Sequence, residues 1–305
     1  MDPNWQDFCT LSIVHFMAFP KVMPGDGPIV ETVQQIAEDP FFQGIEIGWI
    51  KDPAVRREVK AVLDANDMKV GHGAQSALLI GKHNLNSLDA AERQAAVGQL
   101  KANIDEAAEL GAKRVAFLSG KDPGDELRAE ALEALVASLE EACAYGQERA
   151  IALACETFDR TVDKKCLIGP SPYAAEFARR VRQKYPDFGL MYDLSHMPLL
   201  YEEPLPALAT LKDVLVHIHV GNCVLDPASP AYGDLHPRFG FPGGENDVDE
   251  LTAFLKALFE IGYLAEGKQD KPWVGFEVKP QSEAESSTEL IEATKDVWRR
   301  AWSRL

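Results

Sequence analysis

The chain alternates between short apolar runs and longer stretches in which apolar residues recur every three or four positions. The short runs are rich in β-branched and other apolar residues, as expected for strands that are buried on both faces. The longer stretches predict amphipathic helices, because their apolar residues share one face. The eight predicted strands cover residues 11–19, 44–49, 68–73, 114–119, 151–156, 188–193, 214–220 and 273–278.

The helical stretch at residues 89–110 has clear start and stop signals. Leu100, Ile104 and Leu110 belong to one apolar stripe. Asp89 is a candidate N-cap, and Gly111 permits the left-handed turn that ends many helices. Similar patterns predict helices at 126–149, 171–185, 248–261 and 287–302.

Eight strands that alternate with helices are compatible with an open doubly wound sheet or with a closed barrel. A dinucleotide-binding sheet would carry GxGxxG after an early strand, and neither of the first two strands is followed by one. The phosphate-binding pattern GxxxxGK[ST] is also missing. The sequence therefore favours a (β/α)8 TIM barrel that spans residues 1–305 as a single domain.

Composition narrows the class of protein. The 305 residues include 31 Lys+Arg and 48 Asp+Glu, which give a formal net charge of −17. This acidity argues against a nucleic-acid partner, including abasic DNA, because such partners require a basic surface. Five cysteines without a CxxC pair predict reduced thiols. The absence of a signal peptide and of a membrane-spanning apolar run predicts a cytoplasmic location without membrane association.

The histidines fall where a barrel would place its active site. The predicted strands contain His15, His72, His217 and His219, and the loops after strands contain His83, His196 and His236. In TIM barrels the active site is built at the carboxyl ends of the strands and in the loops that follow them. The distribution therefore points to chemistry at that end of the barrel.

Four strand ends carry an ionisable residue after an apolar run, namely Glu156, Asp193, His219 and Glu277. Three carboxylates buried together repel one another, and a divalent cation bound by all four residues would remove that cost. Three oxygen ligands and one imidazole suit Mn²⁺, Mg²⁺, Co²⁺ or Fe²⁺. Each residue could instead cap its strand or pair with a buried Lys or Arg.

The same residues resemble the xylose isomerase-like TIM barrels, also described as sugar phosphate isomerases and epimerases. Asp193-Leu-Ser-His196 and the run that begins His219-Val-Gly-Asn222 are similar to the ketose 3-epimerase branch of that family. The order of the predicted elements agrees over essentially the whole chain. The resemblance implies that Glu156 and Glu277 are also the acid/base pair and that His196 contacts a substrate oxygen.

The resemblance implies a divalent-metal-dependent sugar isomerase or epimerase, with Mn²⁺ as the first expectation for the cofactor. Such an enzyme removes a proton next to a sugar carbonyl, and the metal stabilises the resulting enediolate. Return of the proton on the opposite face gives an epimer, and return at the adjacent carbon gives an isomer. The expected partner is a small sugar or glycoside.

The segment after the seventh strand departs from that pattern. Relatives that epimerise free ketoses have an arginine six residues beyond the strand-seven histidine, where this chain has Leu225. A long loop follows at residues 222–247, and structureless loops longer than ~12–15 residues are usually functional. Together with HVGNCVLD and VHFMAFP, this loop resembles the large subunits of C-glycoside deglycosidases. That resemblance implies an alternative function, the β-elimination of an aglycone from a 3-oxo-glycoside, alongside a small partner subunit.

Further residues are candidates for substrate contacts, and each also has a structural interpretation. Glu46 and His217 could bind a sugar hydroxyl or satisfy buried hydrogen bonds. His15 and His72 could line the substrate site or belong to the core. In the long loop, His236 and Arg238 could reach a substrate or only pack the loop. The oligomeric state stays open between a monomer, a homo-oligomer and a complex with a small subunit.

Overall fold

Eight parallel strands form a barrel in the computed structural model, which describes residues 4–305. The strands are β1 (Thr10–Ile13), β2 (Gly44–Ile47), β3 (Lys69–Gly73), β4 (Arg114–Leu118), β5 (Ala152–Glu156), β6 (Gly189–Asp193), β7 (Leu215–Gly221) and β8 (Trp273–Glu277). Neighbouring strands pair in sequence from β2 to β8, and β8 pairs with β1. A single parallel bridge between Val14 and Glu46 brings β1 to β2 and nearly closes the barrel. The predicted (β/α)8 architecture is confirmed.

Helices connect the strands and cover the outside of the barrel. They are α1 (His15–Ala18), α2 (Ile29–Ala37), α3 (Pro53–Ala65), α4 (Gln75–Ile80), α5 (Ala90–Leu110), α6 (Arg128–Gln147), α7 (Ser171–Arg182), α8 (His196–Leu199), α9 (Pro204–Leu211), α10 (Val248–Glu260) and α11 (Ser287–Trp302). The side chain of Asp89 caps α5 by accepting hydrogen bonds from two backbone amides, and Gly111 ends the helix with φ of 85°. Across residues 4–305, no helix is long and apolar enough to cross a membrane.

The prediction for the first strand is wrong in its second half. Strand β1 ends at Ile13, and the apolar residues that follow form the helical turn α1 and a 3-10 turn at Pro20–Val22. Short apolar runs fit a buried helix as well as a buried strand, so their pattern could not separate the two. His15 consequently lies on a helix rather than a strand, and His196 begins the short helix α8 rather than lying in an open loop.

Small residues make room for polar side chains inside the barrel. A Cβ atom on Gly275 would lie 2.2 Å from Oε1 of Glu46, and one on Gly71 would lie 3.0 Å from Cγ of Glu46. TIM barrels usually fill this space with bulky branched residues. Here Glu46 and His217 occupy it, and both are buried.

Aromatic residues join the outer helix α11 to the barrel. Trp298 stacks on Trp302 with ring centroids 5.5 Å apart and lies 5.7 Å from Phe276 of β8. Phe276 in turn contacts Phe42 edge to face at 5.6 Å. All four rings are buried, and such pairs contribute more than the area they bury. They fix the last helix against β8 and against the segment that leads into β2.

All five cysteines are buried and unpaired, in agreement with the predicted free thiols. Cys9 precedes β1, Cys143 lies on α6 and Cys155 lies on β5, whereas Cys166 and Cys223 lie in the loops after β5 and β7. Burial raises the pKa of Cys9 and of Cys143 to about 12. At neutral pH these thiols are therefore protonated and poorly nucleophilic.

Candidate metal centre

The four residues at the strand ends lie together in the mouth of the barrel. Glu156, Asp193 and Glu277 are the last residues of β5, β6 and β8, and His219 lies near the end of β7. One ligand atom from each residue lies within 4.8 Å of the others. All four residues are buried, with exposures of 8% or less. The barrel thus gathers three carboxylates and one imidazole in a site shielded from water.

Two oxygen atoms of this cluster have no hydrogen-bond partner, although they are buried. They are Oε1 of Glu156 and Oδ2 of Asp193. The other oxygen of each carboxylate is held in place, because Nε2 of Gln75 donates to Oε2 of Glu156 at 2.7 Å and the backbone amide of Ser195 donates to Oδ1 of Asp193 at 2.6 Å. Buried carboxylate oxygens without donors are costly, and a divalent cation would balance them. The donor set fits such a cation.

His219 is oriented by a carboxylate from inside the barrel. Its Nε2 lies 2.8 Å from Oε2 of Glu46, and its Nδ1 lies 2.6 Å from Oε2 of Glu277. A proton on Nε2 that is donated to Glu46 leaves the lone pair of Nδ1 facing the cluster. This carboxylate–histidine arrangement is the usual support of a metal-binding imidazole. Glu46 also accepts a hydrogen bond from Ser12 at 2.7 Å and lies 3.1 Å from Nε2 of His217.

The electrostatic environment differs between two of the carboxylates. Burial is the largest influence on Asp193 and raises its pKa to about 6, although His196 acts in the opposite direction. Burial would also raise the pKa of Glu277, but His236 and His219 lower it to about 2. At neutral pH the cluster therefore carries ionised carboxylates, which suits a cation.

A second buried group lies beside the cluster and was not predicted from the sequence. The Oδ1 atom of Asp234 lies 3.0 Å from Nε2 of His196 and 2.8 Å from Nε2 of His236. On its other side, Oδ2 of Asp234 pairs with Nζ of Lys164 at 3.0 Å. Nδ1 of His236 lies 3.8 Å from Oδ2 of Asp193. Asp234 thus positions both imidazoles against the metal cluster.

These two histidines are arranged to donate hydrogen bonds. Nδ1 of His196 donates to the carbonyl of Thr157 at 2.8 Å. Burial would lower the pKa of His236, but the charges of Asp234 and Glu277 raise it to about 9. Burial would also lower the pKa of His196, but nearby carboxylates, Asp234 foremost, raise it well above its usual value. Both imidazoles can therefore carry a proton at neutral pH.

The loop at residues 222–247 is fastened over the mouth of the barrel. The Oδ1 atom of Asn222 accepts a hydrogen bond from the backbone of Asn246 at 2.8 Å, and the side chain of Asn246 donates to the carbonyl of Gly221 at 3.0 Å. Within the loop, His236 has the left-handed backbone φ of 51° and is buried. The loop brings His236 and Asp234 beside the metal cluster, and a contact between His236 and a substrate stays a prediction.

Three of the candidate substrate residues lie away from the metal cluster. Nε2 of His15 lies 2.7 Å from Oγ1 of Thr32, and Nε2 of His72 lies 3.3 Å from Nδ2 of Asn103 on α5. Burial lowers the pKa of His15 and of His72 to about 3, so both are neutral. The guanidinium of Arg238 donates to the carbonyls of the two residues that follow it in the loop. These three side chains thus contact neighbouring groups outside the metal cluster, and their role towards a substrate stays a prediction.

Sequence reasoning missed Gln75 and Asp234. Gln75 is the second residue after β3, so its polar side chain in an apolar stretch was the available signal. Asp234 precedes His236 by two residues, but its position depends on how the loop folds back over the barrel. Neither residue belongs to a spacing pattern that identifies a site without the fold.

The chain is similar in fold to several solved structures. A D-tagatose 3-epimerase-like protein superposes with a TM-score of 0.70 at 16% identity, covering 97% of this chain and 99% of that one. 3-Keto-D-glucoside 4-epimerase, YcjR, from E. coli gives 0.65 at 16% identity, covering 95% and 99%. The IolI protein with a binding zinc atom gives 0.73 at 15% identity, covering 97% and 98%. These likenesses establish the fold.

The family is established by the sequence. Comparison with curated proteins gives no match. A family model described as the xylose isomerase-like TIM barrel matches residues 33–300. This range includes β2 to β8 and all four residues of the metal cluster. The chain therefore belongs to the xylose isomerase-like TIM barrel family.

Proposed function

We propose that this protein is a divalent-metal-dependent sugar isomerase or epimerase. The observation that carries the proposal is the convergence of Glu156, Asp193, His219 and Glu277 within 4.8 Å, with two buried carboxylate oxygens that lack a partner. These four residues would hold the cation. Mn²⁺ is the first candidate, with Mg²⁺, Co²⁺ and Fe²⁺ as alternatives, because oxygen ligands dominate the set. Once bound, such a cation would polarise a sugar carbonyl and stabilise negative charge on its oxygen.

Glu156 and Glu277 would transfer the protons. They end β5 and β8, strands that are separated by β6 and β7, so their carboxylates reach a bound sugar from different directions. One carboxylate would remove the proton next to the carbonyl, and the other would return a proton to the opposite face or to the neighbouring carbon. The first outcome is epimerisation, and the second is isomerisation. Gln75 would keep Glu156 in position through its bond to Oε2.

His196 and His236 would bind substrate oxygens at the rim of the site. Both are buried, and Asp234 lies within 3.0 Å of each. Among the described residues, Nε2 of His196 and Nδ1 of His236 have no hydrogen-bond partner, so each protonated imidazole keeps one N–H for a substrate oxygen, and such a charge-assisted hydrogen bond is strong. In this arrangement Asp234 and Lys164 are positioning residues, because they act through the histidines.

A second candidate function is the elimination of an aglycone from a 3-oxo-glycoside. The folded loop 222–247 favours it, since that loop places His236 beside Asp193 and Glu277 at distances of 3.8 and 3.7 Å. A carboxylate would take the proton next to the carbonyl, the bond to the aglycone would break, and a histidine would protonate the leaving group. Similarity to a protein described as a 3-keto-D-glucoside 4-epimerase supports a substrate of this class. If this alternative holds, we expect the chain to act together with a small partner subunit.

The first experiment measures the metal content of the purified chain after loading with Mn²⁺ and desalting. We expect about one ion per wild-type chain, and loss of the ion in Asp193→Asn, which keeps the shape of the side chain but removes its charge. Asp64→Asn is the matched control, because Asp64 pairs with Lys60 on the surface. Equal metal in Asp193→Asn and wild type, or none in wild type, would refute the proposed site.

The second experiment separates the two functions. A 3-oxo-glucoside with a chromophoric aglycone is incubated in D₂O with the metal-loaded chain. Deuterium at the carbon next to the carbonyl, detected by NMR, reports proton transfer, which both functions require. Release of the aglycone reports elimination alone. Glu156→Gln and Glu277→Gln should each slow exchange by about 100-fold or more, as loss of a general base does. Activity that appears only after a small subunit is added would identify the lyase complex.

A further inference from the structure

A second cavity opens at the amino ends of the strands, on the side of the barrel opposite the metal cluster. Its volume is about 830 Å³, within the range of small-molecule sites. The first residues of β3, β4, β7 and β8 line it, and its inner end reaches Glu46 and His217 in the middle of the barrel. The small side chains of Gly71 and Ala116 keep this space open.

The cavity is cationic in a protein that is otherwise acidic. Two carboxylates line it, Glu46 and Asp270, against six cations. Glu46 is already engaged by His217 and His219. The six cations are Lys69, Lys113, Arg114, Lys212, Lys268 and Lys271. Because the whole chain has a net charge of −17, this concentration of positive charge is a local property of the cavity.

None of the six cations has an ion-pair partner among residues 4–305, although the chain has many more carboxylates than cations. Three of the lysines contact neutral oxygens, as Lys69 does with Oγ1 of Thr10 at 3.0 Å and Lys271 with the carbonyl of Gln6 at 2.7 Å. Lys268 donates to the carbonyls of Gly262 and Tyr263 at 2.7 and 2.8 Å. Their ammonium groups keep donors for an additional acceptor.

Arg114 is the one arginine among the six cations that line the cavity. It is the first residue of β4 and is half-buried, and within the described part of the chain its side chain makes no hydrogen bond or ion pair. Burial lowers the pKa of this guanidinium, while the charges of Tyr263 and Asp187 act in the opposite direction. An unpaired guanidinium in a cavity has five donors available, in a geometry that matches two oxygens of one anion.

The remaining walls are apolar and aromatic. Trp273 lies at the amino end of β8 and packs against His217 with ring centroids 5.6 Å apart. Tyr263 and Met68 also line the cavity. A ligand that combines an anionic group with an apolar or aromatic part would satisfy both kinds of wall.

We propose that this cavity binds a small organic phosphate, with the phosphate group on Arg114 and the neighbouring lysines and the organic part against Trp273 and Tyr263. A dianion matches the excess of cations better than a single carboxylate does, because several positive charges otherwise stay uncompensated. The site is separate from the metal cluster and does not depend on the function proposed for that cluster.

Calorimetric titration with phenyl phosphate tests the proposal directly, with inorganic phosphate and benzoate as partial ligands at the same ionic strength. We expect saturable one-to-one binding of phenyl phosphate and weaker binding of both partial ligands. Arg114→Gln should weaken the binding of phenyl phosphate by about tenfold or more, since charge-assisted hydrogen bonds are lost. Arg57→Gln is the matched control, because Arg57 is exposed on α3, does not line the cavity and loses the same charge.

Two additional variants keep the result interpretable. Lys212→Gln removes an exposed lining cation, so it should leave the fold intact and weaken binding several-fold even if Arg114→Gln does not fold. Asp193→Asn should bind phenyl phosphate as wild type does, which would exclude capture of the phosphate at the metal cluster. No saturable binding by wild type, or equal binding by wild type and the Arg114 and Lys212 variants, would overturn the proposal.

Discussion

At the residue scale, the buried histidines divide into two kinds that the sequence does not distinguish. His196, His219 and His236 lie close to carboxylates, whereas His15 and His72 contact only neutral partners. The direction of each side chain decides its kind. In β3 the inward positions on either side of His72 are Gly71 and Gly73. Because glycine is neither clearly polar nor clearly apolar, the sequence of β3 does not show which residues face inward and which face outward. The sequence could therefore place a histidine on a strand but could not tell which face it occupies.

The neutral state of His72 predicts a contribution to acid sensitivity. Its pKa is lowered from 6.5 to about 3 in the fold, so the unfolded chain binds the proton more readily. Stability from His72 is therefore present above pH 6.5 and is lost as the pH falls towards 3. Between pH 7.5 and pH 5.5 wild type should lose roughly 1.4 kcal/mol more of unfolding free energy than His72→Gln does. Urea denaturation at the two pH values measures this difference, and identical losses in the two proteins would contradict it.

At the scale of elements, most strands and helices could be predicted, because local signals and tertiary environment agree. Strand β5 ends at Glu156 and helix α5 begins after Asp89, as their patterns indicated. The error in β1 arose because the apolar run at residues 11–19 has no periodicity that distinguishes a strand from a helix. The loop 222–247 shows the other limit, since Asp234 depends on a contact with His196 and His236 on contacts with β6 and β8, all of which lie far away in sequence.

Helix α5 contains two glycines for which alanine should have opposite effects. Gly98 is exposed in the middle of the helix, and a Cβ atom there would meet nothing within 4 Å, so Gly98→Ala should stabilise the protein by about 0.5–1 kcal/mol. Gly111 has φ of 85°, so Gly111→Ala should destabilise it by about 1 kcal/mol. Urea denaturation of both variants checks the signs, and a shift in the same direction for both would show that these glycines do not have the roles assigned here.

At the scale of the whole molecule, the eightfold alternation was sufficient to predict the barrel, because few folds accept it. Net charge was less informative about local surfaces. The value of −17 argues against a polyanionic partner for the molecule as a whole, yet the cavity at the amino ends of the strands gathers six cations. Their clustering depends on strands and loops that are distant in sequence. Composition therefore gives only the average charge of the molecule, and the fold is needed to find the surfaces where the local charge is positive.

The net charge predicts a salt effect on global stability. At neutral pH the negative charges repel one another, and added salt screens that repulsion. Raising NaCl from low to moderate concentration should therefore increase the unfolding free energy by about 1 kcal/mol, or the Tm by ~2 °C. The same salt step at pH 4.8, the sequence pI, is the control and should have little effect. A fall in Tm with salt at neutral pH would contradict this account.

The five buried cysteines make the motions of this barrel measurable without any label being introduced. Their thiols are shielded from solvent, so a thiol-specific reagent can modify them only when the surrounding structure opens. Cys223 belongs to the loop 222–247 and Cys166 to the loop after β5, whereas Cys9, Cys143 and Cys155 lie next to β1, on α6 and on β5. The reaction rate of Cys223 relative to Cys9, Cys143 and Cys155 therefore reports how often the loop leaves the mouth of an otherwise folded barrel.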